Sequence, residues 1–320
     1  MTGRLKRPVA SRGAEADSRD RFRSLLVPID LTAISDRVLG RVALLPLADG
    51  ALVTLLHVVP GNLPVRVRER AERDARRFLG NEARQLARAL PKGVDVETMV
   101  RVGSAAAEIA RCATSTRAEL VVMGRGGSRA LRDTFLGSTA ERVIRRGQRP
   151  VLAVRLGPRA AYGRPAAALD LNPGSEDVLA LMLRLIPPPR PRVATIHAFE
   201  TPYRELIYPS LSEEDAEAWR DELGRKAARR LARLVAASLA RASVSPAEAP
   251  TGKPHVRCGP ARLVIERFVR RAEVDLLALG THGYSGVAHV LLGTVAGDVL
   301  REVACDVLVV PGLRRTREAE

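Results

Sequence analysis

Glycines and hydroxyl residues recur in this chain at one spacing. Gly124 and Gly127 are followed, after nine residues, by Gly137 and Ser138; Gly280 and Gly283 are followed at the same interval by Gly293 and Thr294. Each copy follows an apolar run that closes on glycine, ELVVMG at 119–124 and DLLALG at 275–280. A backbone without Cβ can turn with φ > 0 and bring its N–H groups close to an anion. The Gly-Ser or Gly-Thr pair then opens a helix, whose amides, dipole and hydroxyl reinforce the same preference. The chemistry indicated is phosphate binding. One G-x-x-G is ordinarily a plain turn, but two copies with the same gap, hydroxyl and flanking runs are specific. The pattern is neither the G-x-x-x-x-G-K-[ST] loop nor the G-x-G-x-x-G dinucleotide fingerprint.

Two carboxylates accompany the loops. Asp30 closes the apolar run RFRSLLVPID, and Asp170 closes PAAALD. Taken alone, either aspartate would cap the following helix. In an open doubly wound sheet, however, the ends of the first and fourth strands share one crevice. Asp30 would then meet Gly124, and Asp170 would meet Gly280. A carboxylate there can accept from a ribose hydroxyl or an exocyclic amine while the glycine loop faces phosphates.

The elements that must position these residues read β-α-β-α-β-α-β-α-β, twice. In the first half, helix Ser35–Leu47 is followed by strand 51–60, helix Val65–Leu90, strand Val94–Val102 and a helix that Ser104 caps and that ends at Thr116. ELVVMG, helix Ser138–Arg146 and strand Pro150–Arg155 complete it. The second half has helix Ser175–Leu185, strand Pro191–Ala198, helix Ser212–Arg241, strand Pro254–Cys258, helix Ala261–Arg271, DLLALG, helix Thr294–Val303 and strand Asp306–Val310. Short connections and right-handed crossovers make each half a five-stranded parallel sheet flanked by helices. Asp30 to Asp170 and His57 to His197 are offset by 140 residues; Gly103 to Gly259, Gly124 to Gly280 and Gly137 to Gly293 by 156. The second copy therefore carries a net sixteen-residue insertion between its second and third strands. FETPYRELIYPSLS falls there, as a lid or as a longer loop. The expected divisions are a basic arm (1–20), a first domain (21–156), a linker (157–164), a second domain (165–312) and a tail (313–320).

Composition narrows the function classes. Hydrophobic residues make up 46% and charged residues 28% of 320, the profile of a globular chain. A net charge of +16 raises the question of nucleic acid. Aromatic content of only 3% supplies no stacking platform, so solvated arginine-rich helix faces are the favoured reading and nucleic-acid binding ranks last. Cys112, Cys258 and Cys305 show no C-x-x-C spacing. The first twenty residues lack the apolar stretch of a signal peptide, and no run reaches membrane-spanning length. The expectation is a cytoplasmic protein with a disordered basic arm and no membrane partner.

VPID, TLLHVV, VVMGRGGSRALRDTFLGSTAERVIRR and RPVLAV, then LALGTHGYSGVAHVLLGTVAGDVLREVACDVLVV, closely resemble the universal stress protein family. The resemblance covers about residues 21–156 and 165–312, so the chain looks like a tandem member with the ATP-branch motif G-x-x-G-x9-G-[ST] in both halves. It implies an adenine nucleotide alpha hydrolase-like fold of strand order 3-2-1-4-5, a stress-response role, ATP as ligand with Mg²⁺ as its companion, and halves paired through their fifth strands as an internal pseudo-dimer; a further homodimer is in keeping with it. It also implies that Asp30 and Val58 contact the adenosine end and that Gly124, Gly127, Gly137 and Ser138 contact phosphates. Asp170, Ala198, Gly280, Gly283, Gly293 and Thr294 are the second-half counterparts. Arg125 departs from the pattern, standing where the second copy has Thr281; Arg129 and Arg132 add charge beside it. Ala198 departs too, replacing a larger aliphatic residue.

Dedicated catalysis finds little support. His57 and His197 sit inside apolar strands, where a hydrogen-bonded core histidine is the ordinary reading. His282 and His289 lie in and after the second loop without first-half counterparts, and His255 has no identifiable partner. One carboxylate per crevice does not build a Mg²⁺ site. Slow ATP hydrolysis is the most these residues suggest. A nucleotide-dependent regulator is the leading expectation, and a scaffold with vestigial sites the alternative.

Overall fold

The computed structural model describes residues 21–31, 34–124, 138–146, 149–172, 174–201, 212–242, 244–249, 251–281 and 292–312. The two glycine loops, 125–137 and 282–291, lie outside them, as do the arm 1–20, the tail 313–320 and most of the aromatic insertion, 202–211. In chain order the first half contains β1 (Phe22–Pro28), α1 (Ile34–Val42), β2 (Leu47–Pro60), α2 (Val65–Ala89), β3 (Asp95–Gly103), α3 (Ala105–Ser115), β4 (Leu120–Gly124), α4 (Ser138–Arg146) and β5 (Val151–Val154). The second contains β6 (Pro165–Ala168), α5 (Ser175–Leu185), β7 (Ala194–Phe199), α6 (Glu213–Arg241), β8 (His255–Cys258), α7 (Ala261–Arg271), β9 (Leu276–Gly280), α8 (Thr294–Glu302) and β10 (Asp306–Val310).

Both halves keep the order 3-2-1-4-5, within one continuous sheet: β3-β2-β1-β4-β5-β10-β9-β6-β7-β8. Neighbours within a half are parallel. The fifth strands meet antiparallel, Val151, Leu152 and Ala153 opposite Val309, Leu308 and Val307. The two sheets legible in the sequence are thus fused into one of ten strands. The join removes two strand edges that would otherwise stand open to other chains.

Alternation along the strands builds a core on each face. Leu25 and Val27 face α1, α2, α5 and α6, whose inward residues include Val38, Leu79, Leu179 and Leu231. Leu26 faces α3, α4, α7 and α8, with Ile109, Val143, Ile265 and Val299. The long α2 buries only Ala75, Leu79, Ala83 and Leu86, leaving its arginines on a solvated face.

Several boundaries differ from the sequence reading for local reasons. The first helix ends at Val42 rather than Leu47 because Pro46, which lacks an N–H, disfavours helix for the residue before it. Pro46 instead accepts from the Phe22 amide, and β2 begins at Leu47. A register shift between Phe22 and Ser24 accompanies Gly50 at φ 72°. Likewise β7 starts at Ala194, not Pro191. Ser104 stands at the N-cap of α3, but its side chain makes no capping bond. The sixteen-residue difference is spread out: Val65 and Glu213, opening corresponding helices, are already offset by 148, and Ala89 and Arg241, closing them, by 152.

The inter-half strand pair is pinned by a buried polar group. Asp306, fully buried at the start of β10, accepts from the Arg155 and Leu156 amides at 2.7 and 2.8 Å. Its Oδ2 accepts from the Tyr162 hydroxyl at 2.8 Å and lies 3.3 Å from the Arg41 Nε. Arg41 also stacks over the Tyr162 ring at 3.9 Å and donates to the Ala160 carbonyl at 3.0 Å. The segment expected to be a plain linker therefore contributes a buried side chain. Burial and the neighbouring Asp306 carboxylate push the Tyr162 hydroxyl well above its ordinary pKa. Removing one member of such a group leaves the others desolvated and unpaired. Asp306→Ala should lower unfolding stability by about 3–5 kcal/mol, and Tyr162→Phe by about 1–2 kcal/mol. Urea denaturation of the two variants beside the parent protein checks both values; equal midpoints for all three would show that the cluster contributes nothing.

Candidate functional site

The switch point follows from the layers. α1 leaves β1 for one face while α4 leaves the adjacent β4 for the other, so a crevice opens beyond the carboxyl ends of these strands. β6 and β9, with α5 and α8, repeat the arrangement. A cavity occupies each crevice, of about 140 Å³ in the first half and about 210 Å³ in the second.

The walls correspond. Asp30, Ser35, His57 and Val58 line the first cavity, and Asp170, Ser175, His197 and Ala198, each 140 residues on, line the second. Ala105, Ile109 and Gly124 are matched 156 residues on by Ala261, Ile265 and Gly280. Of the sequence-derived candidates, Asp30, Val58 and Gly124 come together in the first crevice; Asp170, Ala198, Gly280, Gly293 and Thr294 do so in the second. Ser138 opens α4. Arg125, Gly127, Gly137 and Gly283, with Arg129, Arg132, His282 and His289, lie outside the described residues. The serines and the apolar residues of α3 and α7 were not singled out from the sequence. The shared offsets of Ser35/Ser175 and Ile109/Ile265 could have found them.

A strained turn follows each aspartate. Leu31 and Leu171 adopt φ 61° and 63°, a left-handed conformation that costs a residue with Cβ about 1–2 kcal/mol. Identical strain, after the same residue, at both sheet ends is what a site that fixes a carboxylate would store. Asp170 accepts from the Asn172 amide at 3.1 Å, the Asn172 side chain at 2.9 Å and the Ser175 hydroxyl at 2.6 Å. It orders its own turn rather than capping α5, whose N-cap is Gly174. Ser35 Oγ is buried and has no hydrogen-bond partner among the described residues.

Each crevice histidine is tethered through the same nitrogen. His57 Nδ1 lies 2.9 Å from the Ile29 carbonyl and His197 Nδ1 2.7 Å from the Leu169 carbonyl. A carbonyl only accepts, so Nδ1 carries the proton in both. The rings thereby brace the turns that present the aspartates. His255, unpartnered in the sequence reading, packs against the Phe268 ring at 4.7 Å.

The β9 side of the second crevice is closed at its base. Thr281 N–H donates to the Val310 carbonyl at 3.1 Å, and Gly293 N–H to the Thr281 carbonyl at 2.9 Å. This clasps the two ends of the loop 282–291 at the start of α8. The opening amides of a helix have no partner within it, so α8 directs donors and its positive dipole end into the cavity that Thr294, Val295 and Ala296 line. Among the described residues, no group of three or more His, Cys, Asp and Glu could hold a metal ion.

Burial lowers the His197 pKa from its ordinary 6.5, outweighing the Leu169 carbonyl and the Asp170 charge, which act in the other direction. A depressed folded-state value means that unfolding takes up a proton: this contribution to stability is present above the unfolded pKa and is lost as pH falls through the folded one. In an NMR titration, the His197 ring should protonate below pH 6.5; a midpoint above that would contradict the burial argument.

Comparison with known proteins agrees with this organisation. The universal stress protein family profile matches residues 21–155 and again 164–311. A universal stress protein of Mycolicibacterium smegmatis is 26% identical over 307 residues, covering 89% of this chain and 96% of that protein. Universal stress protein G of Escherichia coli O157:H7 is 30% identical over 144 residues, 42% of this chain and 99% of its own length. A universal stress protein structure from Archaeoglobus fulgidus superposes with a TM-score of 0.62 at 16% identity, covering 91% of this chain and 99% of that one.

Proposed function

Because the chain belongs to the universal stress protein family, with two such domains in tandem, we propose that it is an ATP-binding stress-response regulator holding one adenine nucleotide at each switch point. The observation that carries this reading is the pair of corresponding crevices, each with a carboxylate on a strained turn at one strand end and a helix N-terminus across from it.

The residues fit the ligand. Two topological facts orient it: β2 and β4 lie on opposite sides of β1, and α4 follows β4. The phosphates belong at the β4 side, where the chain enters the glycine motif at Gly124 and α4 begins. The base then falls at the β2 side, against Leu56, Val58 and the apolar face of α3. Asp30, between them, accepts from the sugar or base. With no protein-built metal cage among the described residues, Mg²⁺ would be held mainly through the phosphates, whose charge it would offset. Both crevice histidines have Nδ1 committed to a carbonyl, which braces the turns; the proposal is one of binding, without dedicated turnover.

Two equivalents of ATP should bind nucleotide-free protein in calorimetric titration, and freshly purified protein should release nucleotide on denaturation. Asp30→Ala and Asp170→Ala, each removing a charge-assisted hydrogen bond worth about 1.5–3 kcal/mol, should each weaken one site by about tenfold to a hundredfold while circular dichroism stays unchanged. No binding at millimolar ATP in folded protein would sink the nucleotide reading. It would leave the scaffold alternative, which the fused ten-stranded sheet favours, since that sheet is complete without a ligand.

A further inference from the structure

The two crevices differ at several wall residues, and at the β2 side of one and the β7 side of the other the difference is a single exchange. At the β2 side of the first cavity the wall is Leu56, Val58, Ala105 and Ile109; at the β7 side of the second it is Ile196, Ala198, Ala261 and Ile265. Three of these four pairs conserve side-chain volume. At that side, only the exchange of Val58 for Ala198 removes bulk. Phe199, the next residue of β7, does not refill the space, because it turns to the opposite face, where its ring lies about 3.5 Å from where a Gly224 Cβ would stand. Alternation along a strand sends successive side chains to opposite faces.

We infer that residue 58 and its counterpart 198 set the size of base each site accepts, so that the second site takes adenine nucleotides enlarged on the base while the first admits only the unsubstituted ring. The inference rests on the nucleotide reading above and deepens it. The physical basis is that a close-packed apolar wall resists added atoms. Forcing a methyl-sized group into a filled pocket strains its wall, and an extra methylene in such a pocket is discriminated by about tenfold to two-hundredfold. The same group entering the space beside Ala198 displaces no protein atom and buries apolar surface. The sites would therefore share the strand-end aspartate, Asp30 in one and Asp170 in the other, and disagree on the base.

The test uses ATP, N6-methyl-ATP and 2-methylthio-ATP, whose added atoms lie on two different edges of the base, in equilibrium dialysis against the full chain, Val58→Ala and Ala198→Val. ATP should fill two sites in all three proteins. At least one enlarged nucleotide should fill one site of the parent protein at least about tenfold more tightly than the other. Val58→Ala should open the weak site to it, and Ala198→Val should close the strong one; the reciprocal pair excludes simple misfolding, since one variant gains binding. Equal filling of both sites by both enlarged nucleotides, failure of both to bind at either site, or a preference untouched by the two exchanges would overturn the inference while leaving the nucleotide reading intact. Failure of ATP itself to bind would overturn both, a result recognisable from the ATP arm alone.

Discussion

The antiparallel meeting of β5 and β10 is the constraint on which the molecule depends. Two parallel sheets of five strands would each expose a short edge, wholly apolar in VLAV and apolar after its opening aspartate in DVLVV. Pairing them satisfies the backbone groups along both edges, while the helices on either side of the sheet cover the faces. The carboxylate that opens β10 then becomes fully buried, and its burial is tolerable only because two amides, a phenol and a guanidinium converge on it. Those donors come from the end of β5, the connecting segment and α1. One buried charge thus ties the connection, the first helix of the first half and the last strand of the second into a single arrangement.

That arrangement fixes where the sites sit. With the fifth strands at the centre, each switch point lies a few strands out, on either side of the join, and the two cavities are presented by equivalent strand ends. Secondary ties run between the halves as well. Arg301 of α8 reaches Glu141 of α4 at 2.9 Å, and Arg184 of α5 bonds Glu119 at 2.9 Å while lying over the Phe22 ring. Such pairs are half-exposed and individually weak, but both connect elements flanking a crevice.

Much of this was legible in the sequence, because duplication converts spacing into evidence. The offsets of 140 and 156 residues placed Asp30 with Asp170 and Gly124 with Gly280 before any geometry was known, and the apolar runs gave the strand order through its resemblance to a known fold. What was not legible depends on tertiary contact. Nothing in LGPRAAYGRP announces that Tyr162 is buried, since its partners lie more than a hundred residues away in either direction. Leu31 and Leu171 read as ordinary helix formers, and only the turn after each aspartate reveals their left-handed backbone. Taken alone, Asp170 would cap the following helix; Asn172 and Ser175 engage it instead, contacts that the sequence reading did not single out. The hydroxyl of Ser35, its counterpart, is unpartnered among the described residues, so even corresponding positions do not have identical surroundings.

The central claim, that adenine nucleotide occupies these two crevices, is tested most directly by photolabelling. The protein would be irradiated in the ultraviolet with isotopically labelled ATP, whose base is unmodified, with and without excess unlabelled ATP, and the labelled peptides identified by mass spectrometry. The account predicts two ATP-competed labels, one on the segment containing Leu56–Val58 and one on that containing Ile196–Ala198, or on the facing helices α3 and α7. ATP-competed labelling confined to the arginine-rich faces of α2 and α6, or labelling that ATP does not displace, would contradict it.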